Sequence, residues 1–219
     1  MSRIAGAAAG DLLGAGGADA LGPGAVVLRG FAAGSAPALV AQILAIAGRA
    51  PFRRMTTPGG HVMSVAMTNC GRVGWITDRS GYRYAAADPL TGAPWPEMPA
   101  AFCTLAAAAA AAGGFAGFVP DSCLINRYAP GTRLTLHQDR NEHDFAQPIV
   151  SVSLGLPAVF LWGGSARAGK RRRLTLESGD VVVWGGPARL VYHGIDPLGE
   201  GNHALTGSCR YNLTFRRAL

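Results

Sequence analysis

Lysine is almost absent from this chain: of its 20 basic residues only Lys170 is a lysine and the other nineteen are arginines. Charge of either sign is scarce, at 15% of 219 residues, and acids are outnumbered 20 to 13. A net charge of +7 excludes an acidic, disordered solvating chain and favours a polyanionic partner, because a basic surface attracts phosphates at long range. The arginine bias beside the alanine and glycine excess has the look of a compositional habit, so charge alone does not decide the partner. The four cysteines, Cys70, Cys103, Cys123 and Cys209, lack the paired short spacing of zinc or redox motifs. Free thiols in a reducing compartment follow. Hydrophobic runs stay well short of the roughly 20 residues of a membrane helix. The apolar start from Ile4 to Gly10 carries a single Arg3 and is broken by Asp11, unlike a secretory signal. A cytoplasmic protein acting away from membranes is expected.

What is present is enough apolar material, 49% of residues, for one sizeable core. The sequence contains no internal repeat. Residues 1–24, rich in Ala and Gly, read as a flexible arm, and 25–219 as one domain. Ser35-Ala36-Pro37 opens a run with Leu39, Val40, Ile43, Leu44 and Ala47 at helical spacing. A second helix follows Pro96 and runs through Phe102 and Leu105 to Gly113-Gly114. A strand is expected over 62–67. From Leu124 the pattern turns to short β-rich runs at 124–128, 132–136, 149–156, 159–162, 172–176, 180–184, 190–193 and 207–215. Eight short strands with prolines confined to the gaps predict a sandwich or jelly roll with flanking helices.

His137-Gln138-Asp139 places an imidazole and a carboxylate at i and i+2, on one face of an extended strand. His193, followed by Gly194, can supply a third ligand. Two imidazoles and one carboxylate leave three positions open on an octahedral ion, which suits iron(II) that must also bind a cosubstrate and oxygen. The same donors around zinc would point to hydrolysis. His61, His143 and His203 compete for the third place but sit among loop residues.

The run Arg210-Tyr211-Asn212-Leu213-Thr214-Phe215-Arg216 alternates strictly, placing Arg210, Asn212, Thr214 and Arg216 on one face. The two arginines are roughly 20 Å apart along the strand at ~3.3 Å per residue, so only their long side chains can converge. A dicarboxylate between them satisfies both guanidinium groups through charge-assisted pairs. 2-Oxoglutarate is such a ligand.

Taken in order, Leu124-Ile125-Asn126-Arg127-Tyr128, His137-Gln138-Asp139, His193-Gly194 and the 210–216 run resemble the AlkB family of nucleic-acid dealkylases. The stretches from Met63 to Gly71 and from Val181 to Gly186 are also similar to bacterial members. The likeness extends from about Ala25 to Arg216. It implies a double-stranded β-helix core over about 121–219 and a nucleotide-recognition portion with supporting helices over about 25–120. Iron(II) is then held by His137, Asp139 and His193, and 2-oxoglutarate by Asn126, Tyr128, Arg210, Asn212 and Arg216. Trp75, Tyr82, Arg83, Tyr84, Asn141 and Arg167 become the surface that binds the nucleotide. Trp75, read as lying in a surface loop, would stack on an extruded base with His137 on the other side. Tyr82 and Tyr84 would reach phosphate through their hydroxyls, and Lys170-Arg171-Arg172-Arg173 would add backbone contacts.

The implied activity is oxidative demethylation of bases such as 1-methyladenine and 3-methylcytosine in single- or double-stranded DNA, possibly RNA. Iron(II), 2-oxoglutarate and O2 are consumed or used, formaldehyde is released, and the enzyme is expected to act as a monomer. Two rivals stand beside it: an iron and 2-oxoglutarate hydroxylase of a small molecule or protein, and a non-catalytic nucleic-acid-binding module. One position departs from the family. Many bacterial relatives carry an acid where this chain has Asn141, which implies a weaker preference for cationic lesions.

Overall fold

The computed structural model describes residues 17–219. Two helices form where apolar spacing predicts them. Helix α1, Ala36–Arg49, starts with Pro37 in its first turn and buries Leu39, Val40, Ile43 and Ile46 on one stripe. Helix α2, Ala100–Ala112, buries Phe102, Ala106, Ala109 and Ala110 and stops at Gly113. Its small side chains let the helix lie close: a Cβ on Gly113 would meet Val183 Cγ1 at 2.7 Å.

The strands are β1 (Ala18–Gly22), β2 (Ala25–Leu28), β3 (Ala66–Gly71), β4 (Gly74–Asp78), β5 (Gly81–Ala85), β6 (Ser122–Tyr128) and β7 (Leu134–His137). They continue with β8 (Ile149–Gly155), β9 (Ala158–Trp162), β10 (Arg172–Leu176), β11 (Val181–Trp184), β12 (His193–Ile195) and β13 (Arg210–Arg216). Seven form one sheet in the order β1-β2-β11-β8-β13-β6-β3, four form a second in the order β10-β9-β12-β7, and β4-β5 stand apart as a hairpin. The pairings are antiparallel, and the two larger sheets make the expected jelly roll.

The major sheet is buried on both faces because each face has its own cover. Val181, Val183, Leu213 and Phe215 point to the core shared with α1 and α2. Their neighbours Val182 and Trp184 point the other way, into the core shared with Phe160, Trp162 and Ile195 of the minor sheet. Period-two alternation thus splits one strand between two cores. In β13 the same rule sends Tyr211, Leu213 and Phe215 to the helices and Arg210, Asn212, Thr214 and Arg216 to the space between the sheets.

Four expectations are corrected. Within the arm expected over 1–24, Ala18–Gly22 forms a strand paired with β2, and residues 1–16 lie outside the described residues. Asp19 bonds Arg29, and Arg172 donates to the carbonyls of Ala20 and Leu21, which offset the weak β-propensity of Ala-Asp-Ala-Leu-Gly. The strand expected over 62–67 begins at Ala66, after a bend. That expected over 190–193 instead starts at His193, because a 3-10 turn at Gly186–Ala188 and the following loop absorb Leu190 to Tyr192. Trp75 lies on strand β4 of a hairpin rather than in a loop. The recognition portion is also not a separate layer, since β1, β2 and β3 pair directly into the major sheet.

Candidate active site

Strand pairing builds the metal centre. In the minor sheet β12 runs antiparallel to β7 with His193 opposite His137, so their rings meet with centroids 4.5 Å apart. Asp139, just past the end of β7, brings Oδ1 to 3.7 Å from His137 Nε2 and Oδ2 to 4.0 Å from His193 Nε2. One ligand atom from each of the three lies within 4.8 Å of the others, a spacing that can hold one ion. Both imidazoles are already oriented. Nδ1 of His137 bonds the Thr135 carbonyl at 2.8 Å and Nδ1 of His193 bonds that of Val191 at 3.0 Å. Each Nδ1 carries the proton toward a carbonyl, which leaves both Nε2 lone pairs free for metal. Burial, with His137 nearby, pushes His193 down to about 4, so it is neutral at pH 7. Gly194 is required next to it because a Cβ there would lie 2.7 Å from the Leu134 carbonyl oxygen.

Asp139 is held in turn. Burial alone would raise its carboxyl, but the Arg216 guanidinium, with the two histidines, holds it well below the carboxylate range. Arg216 donates to Oδ2 through Nε at 3.0 Å and Nη2 at 2.6 Å. Arg189, 3% exposed, donates to the Asp139 main-chain oxygen at 2.7 Å and to the Gln147 carbonyl at 3.0 Å. It fastens the 139–147 loop over the end of the barrel.

Five residues expected at the cosubstrate line the same cavity as the triad: Asn126, Tyr128, Arg210, Asn212 and Arg216. Asn212 is fixed by bonds to Ser151 Oγ at 2.8 Å and from Thr214 Oγ1 at 2.9 Å. Arg210 is 1% exposed, lies over the Tyr128 ring at 5.0 Å, and donates only to Ser153 Oγ at 2.9 Å. Its Nε and Nη1, with Nη1 of Arg216 and Oδ1 of Asn126, have no partner among the described residues. Burial depresses the Arg210 guanidinium and raises the Tyr128 phenol to about 12. Buried cationic donors without acceptors are costly and fit an anion beside them. The donor set suits a dicarboxylate next to a His-Asp-His metal site.

The hairpin forms the mouth. Trp75 stacks on Tyr82, with centroids 5.7 Å apart at 23°. Its indole Nε1 donates to Asn141 Oδ1 at 3.1 Å. Arg53 pairs with buried Asp88 at 2.5 Å and lies over the Trp95 ring, whose Nε1 donates to the Ala85 carbonyl at 2.9 Å, anchoring the hairpin from behind. Two expected phosphate contacts are redirected. The Tyr84 hydroxyl donates to Glu142 at 2.5 Å, and Arg83 is bidentate to Asp78, whose carboxyl it draws down to about 2. Tyr82 is exposed, and Arg167 stands in the exposed β9–β10 loop. In the basic run Arg172 is spent on β1 and Arg173 pairs with Asp196 at 2.5 Å, leaving Lys170 and Arg171 exposed.

Glu142 escaped sequence reading. It is buried and salt-bridged to Arg189 at 2.8 Å, yet in the sequence it is one acid in a polar loop. Arg189 and Trp184, which meets His193 edge-on at 4.9 Å, carried no motif either.

Among the described residues, no helix is long and apolar enough to cross a membrane. Residues 24–216 match the model of the 2OG-Fe(II) oxygenase superfamily. The chain is 59% identical over 200 residues to the alpha-ketoglutarate-dependent dioxygenase AlkB of Salmonella typhimurium, covering 91% of this chain and 93% of that one. It is 58% identical to the protein of the same name from Escherichia coli, with the same coverage. The solved structure of OsALKBH1 superposes with a TM-score of 0.81 at 27% identity, covering 92% of this chain and all of that one. With its histidine pair and carboxylate poised for iron and its unpaired arginine beside them, the chain belongs to the 2OG-Fe(II) oxygenase superfamily and, within it, to the AlkB dioxygenases.

Proposed function

We propose that this dioxygenase demethylates alkylated bases in nucleic acid, with 1-methyladenine and 3-methylcytosine among them, in single- or double-stranded DNA and possibly RNA. It is proposed to act as a monomer in the cytoplasm. The observation that carries the reading is the Trp75–Tyr82 stack, joined through Asn141 to the loop that holds Asp139. An aromatic platform anchored to the metal loop is what an extruded base requires. Relatives with shorter matches support a nucleic-acid substrate: one from Arabidopsis thaliana is named a DNA N(6)-methyladenine demethylase and one from Schizosaccharomyces pombe a tRNA demethylase.

His137, Asp139 and His193 would hold iron(II), and Arg210, Arg216, Asn126, Tyr128 and Asn212 would hold 2-oxoglutarate. When bound, the metal and cosubstrate supply the oxygen chemistry that the protein lacks. Per turnover the methylated base, O2 and 2-oxoglutarate become the unmethylated base, formaldehyde, succinate and carbon dioxide. The chain's own part is positional. Arg210 and Arg216 neutralise carboxylates in a dry cavity, Trp75 flattens the base against the mouth, and Asn141 fixes the indole.

The test is a mass-scored panel of oligonucleotides, each with one methylated base, incubated with iron(II), ascorbate and 2-oxoglutarate. Loss of a methyl group with stoichiometric formaldehyde is expected. Turnover of 2-oxoglutarate stimulated by a small molecule or protein, and by none of the oligonucleotides, would replace this reading with a hydroxylase of another substrate. DNA binding without metal uptake would leave only a binding module.

A further inference from the structure

Three groups converge on the Glu142 carboxylate. Arg189 Nη2 pairs with Oε2 at 2.8 Å, the Tyr84 hydroxyl donates to Oε1 at 2.5 Å, and Arg216 Nε lies 3.5 Å from that same Oε1. Arg216 also donates to Asp139. Four side chains therefore run unbroken from the recognition hairpin, through Tyr84, Glu142 and Arg216, to a metal ligand.

The partners differ in freedom. Arg189 is tied to Gln147 and Asp139 main-chain oxygens, so it pins Glu142 as a fixed charge. Tyr84 belongs to β5, which pairs only with β4 in a two-stranded sheet, the least supported sheet of the fold. Burial, with Glu142, keeps the Tyr84 phenol far above its usual range, so it stays a donor. Oε1 is thus shared between a mobile-element donor at short range and a guanidinium held at the edge of contact. When Tyr84 takes Oε1, Arg216 is left with a weak hold on Glu142 and an Nη1 that has no partner. That guanidinium is then available to an anion in the cavity.

We infer that Tyr84 and Glu142 are positioning residues that couple the hairpin to Arg216, so that seating of the hairpin over nucleic acid and capture of 2-oxoglutarate strengthen each other. This rests on the proposed role of Arg216 as a 2-oxoglutarate contact. Coupling of two binding events is reciprocal, which gives two independent readouts.

The experiment measures the 2-oxoglutarate Kd of iron(II)-loaded protein without oxygen, by calorimetry, with and without a saturating single-stranded oligonucleotide carrying 1-methyladenine. The wild-type protein is expected to bind 2-oxoglutarate at least about fivefold tighter with the oligonucleotide. Tyr84→Phe, which keeps the ring and loses the hydroxyl, is expected to bring that ratio to about one. Glu142→Gln, which still accepts from Tyr84 but loses its charge toward Arg216, should lower it as well. In the reverse direction, 2-oxoglutarate should slow hydrogen exchange of residues 81–85 in the wild type and not in Tyr84→Phe. A wild-type ratio of one, or a full ratio surviving in Tyr84→Phe, overturns the coupling. Failure of the wild-type protein to bind 2-oxoglutarate at all would instead overturn the role of Arg216 on which it rests.

Discussion

The indole Nε1 of Trp75 donates to Oδ1 of Asn141 at 3.1 Å, joining the recognition hairpin to the loop that begins at the metal ligand Asp139. An indole N–H is a donor only, so the amide oxygen must be the acceptor and the Asn141 NH2 group must face away from it. That NH2 has no partner among the described residues and is only partly buried. Here the polar group beside the base platform presents donors, whereas an acid would present acceptors.

Lesion preference follows from that orientation. Two N–H donors match the carbonyl edge of 1-methylguanine or 3-methylthymine better than the amine edge of 1-methyladenine or 3-methylcytosine. Asn141→Asp keeps the acceptor for Trp75 and replaces donors with an anionic acceptor. A hydrogen bond to a charged group exceeds a neutral one by roughly 1 kcal/mol, so the ratio of amine-edge to carbonyl-edge turnover should rise about five- to tenfold. Competition between two such oligonucleotides in one tube measures the ratio directly, and an unchanged ratio would remove Asn141 from lesion choice.

Loss of a metal ligand should separate folding from activity. His137→Ala and Asp139→Ala are expected to abolish formaldehyde release and to lower iron bound per chain. They differ in a second respect. Asp139→Ala strips Arg216 of the carboxylate it bonds twice, leaving a buried guanidinium short of partners, and should also cost ~3 kcal/mol of stability or more. His137 is half-exposed and its removal should leave thermal unfolding nearly unchanged. Formaldehyde release surviving in both variants would show the ligands to be misassigned.

The buried arginine of β13 makes a prediction of its own. Arg210→Lys keeps the charge but loses the planar fork. At 1.5–3 kcal/mol for a charged hydrogen bond, the KM for 2-oxoglutarate should rise roughly 10- to 100-fold, with kcat at saturation changed much less. Equal losses in kcat and kcat/KM would mean that Arg210 acts beyond ground-state binding.

How far these groups were visible in the sequence depended on whether local pattern or distant packing fixed them. Strict alternation in the 210–216 run announced two faces, and the jelly roll buries both because α1 and α2 cover one of them. The i, i+2 spacing of His137 and Asp139 likewise needed only strand geometry. Glu142 and Arg189 could not be read this way, since their pairing joins residues 47 positions apart in two loops. The hairpin was missed for the opposite reason. Gly74 and the turn residues Asp78 to Gly81 read as loop, although Trp75, Ile76 and Thr77 between them extend as a strand paired to β5. His193 was found by chemistry while its strand was misplaced by three residues, because Leu190, Val191 and Tyr192 have strand-like side chains but follow a 3-10 turn.

Gly74 tests whether the hairpin seat matters to binding. A Cβ at that position would lie 2.5 Å from Trp95 Cε2 and 2.8 Å from Asn69 Cβ, both packed beneath Trp75. Asn69 accepts from the Trp75 main-chain N–H at 3.0 Å and donates to its carbonyl at 3.1 Å, so a shift of Asn69 moves the platform itself. Gly74→Ala should therefore destabilise the fold by about 1–3 kcal/mol, as overpacking does. The larger effect should be on the oligonucleotide: its Kd should weaken at least several-fold, while the 2-oxoglutarate Kd measured without nucleic acid stays near that of the parent, because the β13 arginines lie on another sheet. Anisotropy of a labelled methylated oligonucleotide and calorimetry of 2-oxoglutarate separate the two. Parallel losses in both would indicate general unfolding, and unaltered oligonucleotide binding would mean that Trp75 does not form the base platform.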